Sequence, residues 1–155
     1  MNAPPAELVA ALRELMPRYG YGAVPLGLVL AQSALETGYW SSPVFLTGRN
    51  AFGLRLARVR PTPAVGIFEG HAAYNSLRDS VADYLDRQRV FGIPATDDPA
   101  LYVSETVASG YPTALNYGAT WLNVYRDGFV DYVAPAGAGG LLAVALALLV
   151  LSAAQ

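Results

Sequence analysis

The stretch Val24-Pro-Leu-Gly-Leu-Val-Leu-Ala-Gln-Ser-Ala-Leu-Glu36-Thr-Gly38 decides how this chain is read. Pro25 suits the first position of a helix and Gly38 the position just past its end, so the stretch reads as one helix. It is apolar nearly all round, the mark of a helix buried on every side. Glu36, its only charged residue, stands in the last turn, where a carboxylate needs a reason. Partial burial disfavours the ionised form, and the negative end of the helix dipole acts the same way. Both raise the pKa, as a general acid near neutral pH requires. Taken alone, these residues also allow a glutamate whose head simply reaches water at a helix end.

Outward from this helix the periodicity is mostly helical. Leu8, Val9, Leu12, Leu15 and Met16 mark the apolar face of a first helix, expected to be ended by Pro17 and the Tyr19-Gly-Tyr-Gly22 that follows. A short helical turn is expected around Pro43 to Leu46. Residues 50 to 74 contain Gly53, Pro61, Pro63, Gly66 and Gly70. These are too many breakers for a helix, and the segment reads as an irregular or hairpin lobe. Ser76 caps a helix through about Gln88, with Asp79 placed for a capping box. Asp98 before Pro99 opens another helix, which stops at Gly110. A last helix covers about Tyr117 to Val130. The sequence contains no internal repeat.

Composition narrows the chemistry. A chain of 155 residues implies one domain with a real core. A formal charge of −2 gives no electrostatic case for nucleic acid binding. Without cysteine there is no disulfide framework and no thiol nucleophile, and the single His71 cannot assemble a metal site. No metal or cofactor is therefore expected. His71 itself reads as a surface or hairpin residue. There is no Gly-rich phosphate loop and no Gly-Xaa-Ser-Xaa-Gly nucleophile elbow.

Four blocks then occur in order. They are Ala31-Gln-Ser-Ala-Leu-Glu-Thr-Gly-Tyr-Trp40, Asn50-Ala-Phe-Gly-Leu54, Ala73-Tyr-Asn-Ser-Leu77 with Ser80-Val-Ala-Asp-Tyr84, and Ser109-Gly-Tyr-Pro-Thr-Ala-Leu-Asn-Tyr117. Together they resemble the signature of bacterial N-acetylglucosaminidases of glycoside hydrolase family 73, over roughly residues 20 to 125. The resemblance implies a lysozyme-like α+β fold, mainly α: a helical bundle around a central helix, with a small irregular or β-hairpin lobe. It implies hydrolysis of the β-1,4 bond between N-acetylglucosamine and N-acetylmuramic acid in peptidoglycan glycan strands, with Glu36 as general acid. It also maps the family's active-site tyrosine onto Tyr117.

The remaining site residues follow from position and type. Gln32 and Ser33 lie four and three residues before Glu36, on its helix face, where they can orient the carboxyl or satisfy buried polar neighbours. Tyr39, Trp40, Phe52, Tyr74 and Tyr111 offer flat faces that suit stacking on sugars, although aromatics are also ordinary core material. Gln32, Asn50 and Asn116 complete the substrate-binding set. Arg49, Arg55, Arg58 and Arg60 crowd the middle lobe and either line a groove for an anionic glycan or form a solvated face. A glycosidase usually needs a second carboxylate, at ~5–5.5 Å for retention or ~6.5–9.5 Å for inversion. Glu69 is the one acid in the lobe. Assistance from the substrate's 2-acetamido group, or a water positioned by Tyr117, are the other routes.

Residues 1 to 132 are expected to form the catalytic domain, and 133 to 155 a hydrophobic C-terminal helix. From Val133 to Ala154 no residue is charged. As one helix these residues would span ~33 Å, enough for a bilayer core of ~30 Å. Pro135 and the glycines up to Gly140 delay helix onset, and the ~15 residues left span only ~22 Å. Phe129 and Tyr132 are expected to form an interfacial belt if the tail inserts; packing within an oligomer or particle is the alternative. Met1 to Ala6 have neither a basic region nor an apolar core, so no secretory signal is expected. A wall-degrading enzyme without a signal suggests a phage lysis enzyme or virion component, or a membrane-associated one. Two alternatives stand beside the glucosaminidase. One is a lytic transglycosylase on the same fold, although Asn50-Ala-Phe-Gly-Leu54 replaces the Gly-Leu-Met-Gln block of those enzymes. The other is a non-catalytic wall-binding or virion structural protein.

Overall fold

A computed structural model describes residues 2–111 and 115–132. The order is α1 (Ala6–Arg18), α2 (Leu26–Glu36), α3 (Pro43–Leu46), β1 (Gly66–Phe68), β2 (His71–Ala73), α4 (Leu77–Val90), α5 (Pro99–Ala108) and α6 (Tyr117–Gly128). The fold is mainly helical with one small antiparallel hairpin, as expected. The expected hydrophobic helix at 133–155 lies outside the described residues. Among the described residues no helix is long and apolar enough to cross a membrane.

α2 is the axis of the bundle. Every residue from Gly27 to Ala34 is buried, which explains its lack of a polar face. Pro25 takes the cap position rather than the first helical one, and Gly38 follows the end at φ +56. α6 lies along α2, and Trp121 Nε1 donates to the Leu28 carbonyl at 2.7 Å. Gly27 permits the approach of α6's C-terminal end: a Cβ there would lie 2.0 Å from the Phe129 carbonyl oxygen. α5 covers α6, and α1 lays its apolar face on α4. Pro17 sits inside the last turn of α1, and Gly20, in the expected Tyr-Gly-Tyr-Gly run, provides the stop at φ +87. α4 begins as expected, with Ser76 Oγ accepting from the Asp79 amide and donating to its carboxylate.

The lobe between α3 and α4 carries the hairpin, in register Gly66–Ala73, Ile67–Ala72 and Phe68–His71. Glu69 and Gly70 form its two-residue turn, both with positive φ, the twist that tight hairpins favour. A buried ion pair ties the lobe to α4. Asp83, fully buried, receives Arg60 at 2.5 Å and the Tyr74 hydroxyl at 2.7 Å. Phe129, expected at a membrane interface, is instead buried against Trp40 and Gly27, and Tyr132 packs on it half-buried.

Candidate active site

Glu36 ends α2 at the floor of a cleft of about 650 Å³, lined also by Gly53, Arg55, Arg60, Arg87, Tyr111 and Tyr117. Its carboxyl is half-buried and accepts a very short hydrogen bond from the Tyr117 hydroxyl. Burial pushes its pKa above the ordinary carboxylate value, opposed by the Tyr117 hydrogen bond and the positive field of His71. Burial likewise pushes the Tyr117 phenol far up, reinforced by the Glu36 charge, so it stays protonated as a donor. Gly53 closes the far side. It adopts φ +61, and a Cβ there would stand 3.1 Å from Glu36 Oε2, so only glycine lets this loop lie against the carboxyl.

What holds Gly53 there is largely the signature itself. Asn50 is fully buried, and its side chain makes four hydrogen bonds, to the Leu54 and Ala72 carbonyls and from the Phe52 and Leu54 amides. Ser33 donates to the Ala51 carbonyl at 2.7 Å, and Ser80 accepts from the Ala51 amide at 2.9 Å. Phe52 is fully buried and stacks on Tyr84 with ring centres 4.0 Å apart. Trp40 is buried and donates to Ser33 Oγ at 3.1 Å. The expectation that Trp40, Asn50, Phe52 and Tyr74 meet substrate is therefore corrected. All four are packed inside, and none lines the cleft.

Tyr111 does line the cleft, and its hydroxyl donates a very short bond to the Phe52 carbonyl. Tyr39 is half-buried, edge-on to Trp40, and lies off the cleft lining. Asn116 is exposed at φ +67 before α6 and also lies off it. Glu69 is not brought to the cleft either. Its place in the hairpin turn leaves it exposed, and Glu36 is the one carboxylate in the lining among the described residues. Positions 112–114 and 133–155 contain no Asp or Glu. The hairpin residue whose field reaches Glu36 is His71, not Glu69.

Gln32, also expected to meet substrate, is fully buried and does not line the cleft. Its Oε1 accepts from Tyr84 at 2.6 Å. Tyr84's single proton is thereby used, so the 2.9 Å contact between the Tyr84 and Tyr102 hydroxyls must be donated by Tyr102. Tyr102 in turn accepts from Gln88 Nε2, and Gln88 Oε1 accepts from Arg87. One directed chain of hydrogen bonds thus runs from Arg87 through the core to Gln32. Gln32 Nε2 completes no hydrogen bond, although the side chain acts on the neighbouring Tyr117 hydroxyl and lowers its pKa slightly. Arg87, Gly53 and Ser109 were not singled out from sequence. For Arg87 a signal existed: Ser80, Tyr84, Arg87 and Gln88 fall at the spacing of one helix face.

Comparisons with known proteins bear on the family and the fold. Residues 10–128 match the model of the Glucosaminidase family, described as mannosyl-glycoprotein endo-beta-N-acetylglucosaminidase. Protein bax of Escherichia coli (strain K12) is 29% identical over 62 residues, which is 40% of this chain and only 23% of that relative's length. A type VI secretion system effector–immunity complex from Pseudomonas protegens contains a similar chain. Its TM-score is 0.59 at 17% identity, covering 81% of this chain and 95% of that one. A peptidoglycan hydrolase from Sphingomonas sp. A1 gives 0.56 at 18% identity, over 84% and 99%. The glycoside hydrolase domain of Salmonella typhimurium FlgJ gives 0.53 at 21% identity, over 79% and 84%. At such identities these neighbours speak for the fold, while the family match carries the assignment: the chain belongs to the Glucosaminidase family.

Proposed function

We propose that this chain cleaves peptidoglycan strands at the β-1,4 bond between N-acetylglucosamine and N-acetylmuramic acid, with Glu36 as the proton donor. The observation that carries this reading is a half-buried carboxyl with a raised pKa at the floor of a cleft, in a chain of this family. Protonated Glu36 gives its proton to the departing glycosidic oxygen as the bond from C1 breaks. With no second carboxylate in the lining, the substrate's own 2-acetamido oxygen is the proposed partner. It attacks C1 to form a cyclic oxazolinium, which carries the positive charge on the acetamido group beside the ionised Glu36. Water then adds at C1 as the ring's C1–O bond breaks and the acetamido group is restored, and the water's proton returns to Glu36. Tyr117 holds the carboxyl in place through its hydrogen bond and faces the same cleft.

Digestion of purified murein followed by mass spectrometry tests the reaction. Fragments ending in reducing N-acetylglucosamine are expected. Anhydro-muramic ends would identify a transglycosylase instead, and binding without fragments would identify a non-catalytic wall-binding protein. Glu36→Gln keeps the shape but has no proton to give. It should lower turnover by ~10²–10⁴-fold while strand binding persists.

For residues 133–155 we propose membrane association or assembly into a larger particle, because an uncharged stretch of this length needs lipid or protein to cover it. Action on a bacterial wall from a phage particle or a membrane is the corresponding proposal for location.

A further inference from the structure

Burying a charge without a counter-charge is unfavourable, and a fold normally supplies the partner. Arg60 follows that rule, matched by Asp83 and Asp86. Arg87 does not. It is 8% exposed and lines the same cleft as Glu36. Its guanidinium lies between the Phe91 and Tyr111 rings, 4.6 Å from each centre. Its hydrogen-bond partners are the Gln88 side chain at 2.8 Å and, in Ser109, the hydroxyl at 2.9 Å and the carbonyl at 3.5 Å. All of these are neutral. Among the described residues it has no salt bridge, and the positions outside them hold no Asp or Glu.

The rest of the cleft points the same way. Arg55, exposed and also without a salt bridge among the described residues, stands in the lining together with Arg60. Two arginines without a salt bridge, Arg55 and Arg87, thus share a cleft whose one carboxyl is held toward its neutral form, while Arg60 is matched by Asp83 and Asp86. Aromatic rings cover the faces of Arg87, so a ligand can meet it only at those N–H groups of its edge that Gln88 and Ser109 do not take. A guanidinium edge matches a carboxylate in shape and charge better than any neutral sugar hydroxyl does.

We propose that Arg87 is a binding point for a carboxylate carried by the glycan substrate, supported by Arg55 along the same wall. This rests on the glycan-hydrolase reading above and adds a substrate feature to it. Two sources carry that chemistry in murein: the lactyl carboxylate of strands stripped of peptide, and the carboxylates of the peptide stems. A purely structural Arg87, clamping Ser109 to α4, would make no distinction between charged and neutral strands.

The full-length chain is assayed on two matched pairs of substrates. The first is peptide-free strands and the same strands neutralised by carbodiimide coupling to methylamine. The second is peptide-bearing fragments, untreated and neutralised in the same way. In one pair the wild type should prefer the charged member by roughly tenfold in kcat/KM, mostly through KM, as a charge-assisted hydrogen bond implies. The pair in which the preference appears identifies the source. Arg87→Gln should bring that ratio close to one. Should this variant not fold, Arg55→Gln, an exposed substitution, should still narrow the ratio. Equal wild-type rates within both pairs overturn the proposal, and so does an Arg87→Gln enzyme with the wild-type ratio. No turnover of any strand defeats the hydrolase reading, whereas turnover without discrimination defeats this inference alone.

Discussion

Glu36 lies between the Tyr117 hydroxyl and the Cα of Gly53, and what makes it useful as an acid also makes it unfavourable for the fold. Its native pKa lies above that of the unfolded chain, so the folded state holds the proton more tightly. Stability is then lost as pH rises out of the ordinary carboxylate range, where the native carboxyl must ionise partly buried. Glutamine has nothing to ionise. Glu36→Gln should therefore raise Tm at pH 7 and raise it less at pH 4, as calorimetry at the two values would show. Activity has the matching sign: it should fall as pH rises through the Glu36 pKa. Tyr117→Phe removes a hydrogen bond that pulls this pKa down, so the basic limb of the rate profile should move to higher pH. Glu69→Gln should leave rate and profile within about twofold of wild type, since an exposed turn carboxylate outside the cleft has no proton to exchange there. A severe loss in Glu69→Gln would restore the two-carboxylate mechanism. Gly53→Ala puts a Cβ at φ +61 and 3.1 Å from Glu36 Oε2. It should cost roughly 1–2 kcal/mol of stability and up to about 10²-fold in kcat. Comparing its urea midpoint with its turnover would separate the two effects.

At the scale of elements, α4 does more to build the site than its distance in sequence suggests. Ser80, Asp83, Tyr84 and Arg87 hold, in turn, the Ala51 amide, the Arg60 guanidinium, Gln32 and the cleft wall. Asp83→Ala would leave Arg60 without its direct partner and Tyr74 without its acceptor in a buried place. Removing one member of a buried ion pair costs about 3–5 kcal/mol. Equilibrium urea unfolding should show a loss of that size, and a loss below about 1 kcal/mol would mean that water replaces the carboxylate. This also explains what could be read from the sequence. The helices, their caps and the breaker-rich lobe were legible because periodicity, Ser76, Asp98 and the glycines act locally. Glu36, Tyr117 and Tyr111 line the cleft. Trp40, Asn50, Phe52 and Tyr74 do not, which the sequence cannot show, because an aromatic or amide in a motif has the same letter whether it touches substrate or holds a loop. Glu69 lies outside the cleft, hidden from the sequence for a similar reason: belonging to the right lobe does not say which way a turn points its side chain. Arg87 escaped notice because its importance comes from Tyr111 and Ser109, more than twenty residues away in sequence.

On the scale of the whole molecule, the described domain has an end that can be tested. The family match stops at residue 128, yet Phe129 is buried against Gly27 and Trp40, and Tyr132 packs on Phe129. The last aromatic residues therefore belong to the core, and a cut before them would open a cavity beside α2. Replacing Phe129 by Ala alone should cost about 3–5 kcal/mol, as for other buried aromatics. Residues 133–155 differ in kind. They carry no charged side chain, and Leu141 to Leu151 is continuously apolar, a surface that in water drives association. A chain ending at Tyr132 should therefore remain monomeric and retain the murein turnover of the full chain within about twofold, because among the described residues the cleft lining ends at Tyr117. The full chain should need detergent or lipid to stay dispersed, or should sediment as a larger particle. Analytical ultracentrifugation of both, with and without detergent, decides between these. Identical monomeric sedimentation without detergent would show that the tail covers its apolar side chains on its own domain, and a shortened chain without activity would mean that the tail completes the site.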